Sequence, residues 1–75
     1  MAKIPRDVSG EDAIRAFGRL GYFRDHTVGS HAVLLHSKDP RKRLVVPLHR
    51  SLKVGTLSKL VKDAGLTVEE FIELL

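Results

Sequence analysis

The stretch "TVGSHAVLLH", residues 27–36, decides the fold of this 75-residue chain. Gly29 and Ser30 separate two runs with strand-like composition, "YFRDHTV" before them and "HAVLLH" after them. Glycine at the first central position of a two-residue loop is typical of a type II′ turn, whose twist matches that of a β-hairpin. We therefore predict two antiparallel strands joined by this turn. Three pairs should then lie opposite each other, Val28 with His31, His26 with Val33 and Arg24 with Leu35.

The segments on either side of the hairpin predict one more strand and three helices. "RLVVPL", residues 43–48, follows the polar loop "SKDPRKR" and is typical of a strand that ends near Pro47. "SGEDAIRAFGRLG" predicts a helix of about eleven residues that is capped by Ser9 and stopped by Gly21. "GTLSKLVKDAG" and "TVEEFIELL" predict two further helices, the second opened by a Thr67–Glu70 capping box. This order predicts an α+β domain, a three-stranded antiparallel sheet with helices on one face.

Size and composition indicate one domain over residues 1–75, with residues 1–8 as a flexible amino-terminal segment. The chain has no cysteine, which excludes disulfides and thiolate metal sites. No apolar run approaches the roughly 18 residues of a membrane span, and the amino terminus lacks the apolar core of an export signal. We therefore predict a cytoplasmic protein without membrane contact.

The charge is unevenly distributed along the chain. Thirteen basic and six acidic residues give residues 1–66 a net charge of +7, whereas residues 67–75 carry −3. Between Lys38 and Lys53 there are six basic residues and one acid, Asp39. Such a field attracts polyanions, of which nucleic acid is the commonest in a cytoplasm. A solvated surface that keeps a small protein soluble remains the alternative.

Three motifs and the order of the elements resemble the HicA (YcfA-like) toxins of type II toxin–antitoxin systems. The motifs are "GSH" at 29–31, "VVPLH" at 45–49 and "KVGTLSKLVKDAGL" at 53–66, and the resemblance extends from about Ser9 to Leu75. It implies a fold like that of double-stranded-RNA-binding domains. It also implies ribosome-independent mRNA cleavage that depends on one histidine, and inhibition by a HicB antitoxin. The implied histidine is His31, and Ala32 occupies a position where many family members carry a second histidine.

His31 suits the chemistry that the resemblance implies. The 2′-hydroxyl of RNA attacks the adjacent phosphate when one group takes its proton and another protonates the leaving oxygen. Imidazole exchanges protons near neutral pH, and a position beside a turn is accessible to a bulky substrate. His26 would lie diagonally from His31 on the same strand face and is a candidate for the second group, while Arg24 is a candidate phosphate contact. Val33 and Leu35 would share this face.

Basic residues and one helix start are the candidate RNA contacts. Lys53 and the backbone N–H groups near Gly55 and Thr56 would form a helix amino terminus, which favours phosphate. Lys59 and Lys62 are more simply explained as the solvated side of that helix. The further candidates are Arg41, Lys42, Arg43 and Arg50. A non-catalytic RNA-binding module of the same fold, or a protein-interaction domain with an acidic partner, remains an alternative.

The other histidines do not indicate a metal site. His31 and His36 are five residues apart, which places them on opposite faces of a regular strand. His49 either bonds the backbone where the third strand ends or takes part in catalysis, and His36 closes its strand. We therefore predict no metal and no other cofactor, with mRNA and a HicB-like antitoxin as the partners.

Overall fold

The computed structural model describes residues 3–75, in which three helices and three strands follow one another in the predicted order. The elements are α1 (Gly10–Gly18), β1 (Tyr22–Val28), β2 (His31–His36), β3 (Arg43–Pro47), α2 (Val54–Asp63) and α3 (Val68–Leu74). The strands form one antiparallel sheet in the order β1-β2-β3. The predicted α+β class is therefore confirmed. Within residues 3–75, no helix is both long enough and apolar enough to cross a membrane.

The β1–β2 hairpin has the predicted turn and the predicted register next to it. Gly29 has a φ of +58°, while Ser30 has a negative φ, which is the combination that defines a type II′ turn. Val28 lies opposite His31, and His26 lies opposite Val33. These two predicted pairs are confirmed.

A β-bulge changes the pairing further along β1. Arg24 lies opposite Leu34 while His26 lies opposite Val33, so Asp25 is an extra residue on this strand. The predicted pairing of Arg24 with Leu35 is wrong, because it assumed a regular strand. A bulge inserts one residue and reverses which face the residues beyond it occupy.

The core lies between the helices and one face of the sheet. Ala32 and Leu34 of β2 point into it, and so do Leu44 and Val46 of β3. Phe17 of α1 and Phe71 of α3 are fully buried, with ring centroids 5.4 Å apart. The largest fully buried side chains are Phe17, Phe71, Leu34, Leu57 and Val46. Each stabilises the fold by about 1.5–3 kcal/mol through removal of apolar surface from water.

The helix ends follow the sequence pattern, with one difference in length. Ser9 caps α1 in a reciprocal box with Asp12, and Thr67 caps α3 in the predicted box with Glu70. Helix α1 spans nine residues rather than about eleven, because the amides after Gly18 bond to carbonyls three residues back. Lys53 caps α2 without a side-chain hydrogen bond.

Part of the amino-terminal segment packs against the domain. Val8 is 5% exposed and belongs to the core, and its carbonyl accepts a hydrogen bond from the Leu52 amide. Ile4 packs against the same core. Within residues 1–8, where the sequence predicts flexibility, these two residues are therefore held by contacts. Met1 and Ala2 lie outside the described residues.

Candidate active site on the open sheet face

His31 is exposed at the hairpin end of β2, on the sheet face that the helices leave uncovered. As the first residue of the central strand, it is flanked by Val28 of β1 and Pro47 of β3. Within residues 3–75 its ring makes no hydrogen bond. The backbone at His31 is therefore held from both sides, while the imidazole is accessible to a large substrate.

The segment after β3 is fixed against this end of the sheet by backbone hydrogen bonds. The Leu48 amide donates to the Ser30 carbonyl at 2.7 Å, and the Gly10 amide donates to the His49 carbonyl at 2.9 Å. A Cβ on Gly10 would lie 2.1 Å from the Pro47 carbonyl oxygen, so only glycine permits this approach. His49 contributes to the fold through its backbone carbonyl, while its side chain is exposed and makes no hydrogen bond among the described residues.

The open face is largely apolar around the two histidines. Val33, between His26 and Val45 in the register, is only 4% exposed although it does not belong to the core cluster. Its neighbours on the open face therefore cover it. The exposed apolar residues on this face are Phe23, Val28 and Val45. The prediction that Val33 and Leu35 share the face of His31 is confirmed by the register.

His26 lies on this face diagonally from His31 and is paired with its neighbour Asp25. The His26 Nδ1 and the Asp25 Oδ2 are 2.7 Å apart, and both side chains are about half exposed. Diagonal residues of an antiparallel pair have backbones roughly 7–8 Å apart, within reach of long side chains. Sequence reasoning identified His26 but missed Asp25. The only signal was a carboxylate directly before a histidine within a predicted strand.

Ala32, at the position of the second family histidine, points away from this site. It is fully buried on the helix side of the sheet, opposite Thr27 and Val46. A histidine here would point into the core, because neighbouring strand residues face opposite sides. The alanine therefore removes no group from the open face beside His31.

His36 also lies on the helix side and has a structural role. Its Nε2 is 2.8 Å from the Leu20 carbonyl and its Nδ1 is 3.1 Å from the Lys38 amide. A carbonyl only accepts and an amide only donates, so this ring is neutral with its proton on Nε2. Its ring also packs edge-on against Tyr22. The prediction that His31 and His36 lie on opposite faces is confirmed.

The predicted basic contacts fall into two groups. Pro47 lies opposite His31, so the chain after β3 begins at the His31 end of the sheet. The residues that follow β3 in the chain form the first group, called the near group: Arg50, Lys53, Gly55 and Thr56. The far group comprises Arg41, Lys42 and Arg43, where Arg43 lies opposite Leu35, four residues or about 13 Å along β2 from His31.

A groove between β3 and α2 is lined by one residue of each group, Thr56 of the near group and Arg43 of the far group. Arg43, Val45 and Pro47 line it from the sheet. Thr56, Lys59 and Asp63 line it from α2, where Lys59 and Asp63 form an exposed ion pair at 3.3 Å. One end of the groove is therefore beside the position of His31, and the other end is at Arg43.

Arg24 lies on a different surface from His31. The bulge turns it to the helix side, where its guanidinium bonds to the Glu11 carboxylate of α1 at 2.6 Å. Its predicted place on the face of His31 is wrong for this reason. This geometry gives no support to its predicted phosphate contact, because the guanidinium is paired with Glu11 away from His31.

The shifted pKa values belong to residues outside the site. The backbone N–H of Ser9 donates to Asp12 and lowers the pKa of that carboxyl, and burial raises the pKa of the Tyr22 phenol. Among residues 3–75, no cluster of three or more histidines, cysteines and carboxylates has the arrangement of a metal site.

The fold and the site together define a class, a small α+β domain with a bare sheet face that presents a histidine at its hairpin end. A family model described as the HicA toxin of bacterial toxin–antitoxin matches residues 10–66, well over half of the chain. The chain therefore belongs to the HicA toxin family, and it is the toxin of a toxin–antitoxin system with an antitoxin partner. A comparison with curated proteins finds no match.

Proposed function

We propose that this toxin is a metal-independent endoribonuclease that cleaves mRNA without the ribosome and uses His31 for proton transfer. The observation that carries the proposal is the placement of His31. It is exposed at the turn end of the central strand, on the sheet face that no helix covers. No other histidine in residues 3–75 starts a strand that is paired on both sides.

The chemistry needs a proton acceptor that a phosphodiester can approach. In RNA the 2′-hydroxyl is the nucleophile, so the protein supplies proton transfer and charge stabilisation. The His31 ring makes no hydrogen bond within the described residues, so a nitrogen lone pair is free to take the hydroxyl proton. A general base of this kind contributes about 10²–10⁴-fold to the rate.

The basic residues around the groove supply the RNA-binding surface in this proposal. Arg50 and Lys53 follow β3 at the His31 end, and Arg43 lies at the other end of the groove. Helix α2 has no acid in its first turn and no side-chain cap, so its first amides are free to meet a phosphate. A strand of RNA along β3 would place one of its phosphates beside His31.

A HicB-like antitoxin is the inhibitor in this proposal, and the same face suggests how it binds. The open face combines exposed apolar residues, Phe23, Val28 and Val45, with a domain whose first 66 residues carry +7. A partner that offers acidic and apolar side chains complements both features. Such a partner would cover His31 and exclude RNA.

The test is cleavage of an end-labelled single-stranded transcript in excess chelator by wild type and by His31→Ala. We expect the variant to lose at least about 100-fold in rate, because it has no proton acceptor. His49→Ala is the matched control, because it removes an exposed histidine whose side chain makes no described hydrogen bond. Circular dichroism checks that both variants are folded.

Two outcomes would contradict the proposal in different ways. An unchanged rate for His31→Ala would show that another group performs the proton transfer. A wild-type protein that binds the transcript in a salt-dependent manner but never cuts it would be the non-catalytic RNA-binding module.

A further inference from the structure

A β-bulge inserts Asp25 directly before His26, which lies on the face of His31. Counted from the turn, regular alternation would put Tyr22 on the same face as His26. The extra residue Asp25 instead lets Tyr22 enter the core, where it is 6% exposed, while His26 stays on the open face. Bulges are frequent where a side chain must be re-aimed next to an active site.

Asp25 holds the His26 ring in one orientation. The carboxylate accepts a hydrogen bond from Nδ1–H over 2.7 Å, so the other ring nitrogen, Nε2, is the one available to a substrate. A carboxylate in this position also compensates the positive charge that an imidazole carries when it is protonated. His31 has no such partner within the described residues. The two rings are therefore suited to different roles.

The diagonal placement of His26 and His31 suits a phosphodiester that contacts both rings. Their backbones lie roughly 7–8 Å apart on one face, and the rings extend beyond the backbone from neighbouring strands. Each ring must reach one reacting oxygen at about 2.6–3.2 Å. Val33, at 4% exposure, supplies a packed apolar floor beneath this space.

We propose that His26 is the general acid of the cleavage reaction and that Asp25 is its positioning residue. This inference rests on the proposed endoribonuclease function. His31 takes the proton of the 2′-hydroxyl as the bond from O2′ to phosphorus forms. The bond from phosphorus to O5′ breaks, and the Nε2 proton of the His26 imidazolium passes to O5′. The products are a 2′,3′-cyclic phosphate and a 5′-hydroxyl end, with atoms and charge balanced.

An RNA substrate with a sulfur leaving group distinguishes the role of the general acid from that of the general base. The cleaved linkage is first mapped with wild type on a transcript, and an RNA oligonucleotide is then made with a bridging 5′-sulfur at that linkage. A thiolate leaves without being protonated, so cleavage of this substrate needs the base but not the acid. We expect His26→Ala to lose about 100-fold on the all-oxygen RNA and to recover to near the wild-type rate on the sulfur RNA.

The comparison with His31→Ala distinguishes the two proposals. His31→Ala should be slow on both substrates, because the base is missing in each case. If His26→Ala is equally slow on both substrates while His31→Ala behaves as expected, the acid role is wrong and the endoribonuclease function stands. If wild type cleaves neither substrate, the endoribonuclease function fails and the acid role fails with it.

Asp25→Asn tests the positioning role of Asp25. The readout is recovery of the cleavage rate on the sulfur RNA, which an unfolded variant would not show. We expect kcat on the all-oxygen RNA to fall at least about 10-fold with KM unchanged, and the sulfur RNA to restore the rate. Glu69→Gln on α3 is the matched control for loss of an exposed carboxylate. An Asp25→Asn variant with wild-type kcat, or with a loss that persists on the sulfur RNA, would contradict the role of Asp25.

Discussion

His31 and His36 lie on the same strand but on opposite faces of the sheet. The odd-numbered positions of β2 face the open side and the even-numbered positions face the helices, so His31 is available to a substrate and His36 is not. His36 connects three parts of the chain, since its ring bonds to Leu20 before β1 and to Lys38 after β2. Histidine therefore has a proposed chemical role at one end of the strand and a structural role at the other.

His36→Ala should destabilise the domain without removing activity. The change deletes two hydrogen bonds of about 1 kcal/mol each and an edge-on aromatic contact with Tyr22, so we expect a loss of about 2–3 kcal/mol. Urea denaturation at neutral pH measures the free energy of unfolding, with His49→Ala as the control. The folded variant should still cleave RNA at the wild-type rate. Equal stability of His36→Ala and wild type would contradict the structural role.

At the scale of the elements, two local devices decide where functional groups lie. The type II′ turn was evident in the sequence, because glycine at its first central position is a strong local signal. The bulge at Asp25 was not evident in the sequence, because no residue type is specific to such a bulge. The bulge allows Tyr22 to be buried, and that burial depends on contacts with the core rather than on neighbouring residues in the chain. The predicted sheet face is therefore wrong for Arg24, which lies beyond the bulge, and right for His26, which lies between the bulge and the turn.

The cap of α1 makes stability depend on pH. The Ser9 backbone N–H lowers the pKa of Asp12 below its ordinary value of 3.8, so the folded state favours the carboxylate. Its stabilisation is complete above the ordinary pKa and is lost as the pH falls through the lowered value. We expect Asp12→Asn to be less stable than wild type at about pH 6 and nearly equal to it at about pH 2.

Thermal unfolding at the two pH values measures this difference. Glu73→Gln removes a carboxylate that takes part in no cap, and it should change stability little at either pH. A stability gap between Asp12→Asn and wild type that is as large at low pH as at neutral pH would exclude the cap as its cause.

At the scale of the whole molecule, the sheet separates two functions. One face forms the core with all three helices, and the other carries the candidate catalytic pair on a mostly apolar surface. The groove between β3 and α2 is lined by two basic residues, Arg43 and Lys59, and one acid, Asp63.

The salt dependence of the RNA affinity should show which basic residues contact phosphates. Each phosphate contact on single-stranded nucleic acid contributes about 0.7 to the slope of log affinity against log salt concentration. We expect Arg50→Ala and Lys53→Ala each to reduce that slope by about 0.7. Lys62→Ala, in the last turn of α2, removes the same charge from another position and should leave the slope unchanged. Equal slopes for all three variants would contradict this binding surface.

The sequence by itself determined the order of the elements, the turn, the Ser9 cap and the Thr67–Glu70 capping box, because these follow from local propensity and periodicity within a few residues. The choice of His31 as the candidate base came from the resemblance to the family. The sequence also determined the family, through motifs whose order and spacing are preserved. Only the tertiary structure decided that Asp25 holds His26, that Arg24 leaves the site and that Ala32 is buried. Each of these depends on which face of the sheet the helices cover, and that choice is made by core packing between residues far apart in the chain.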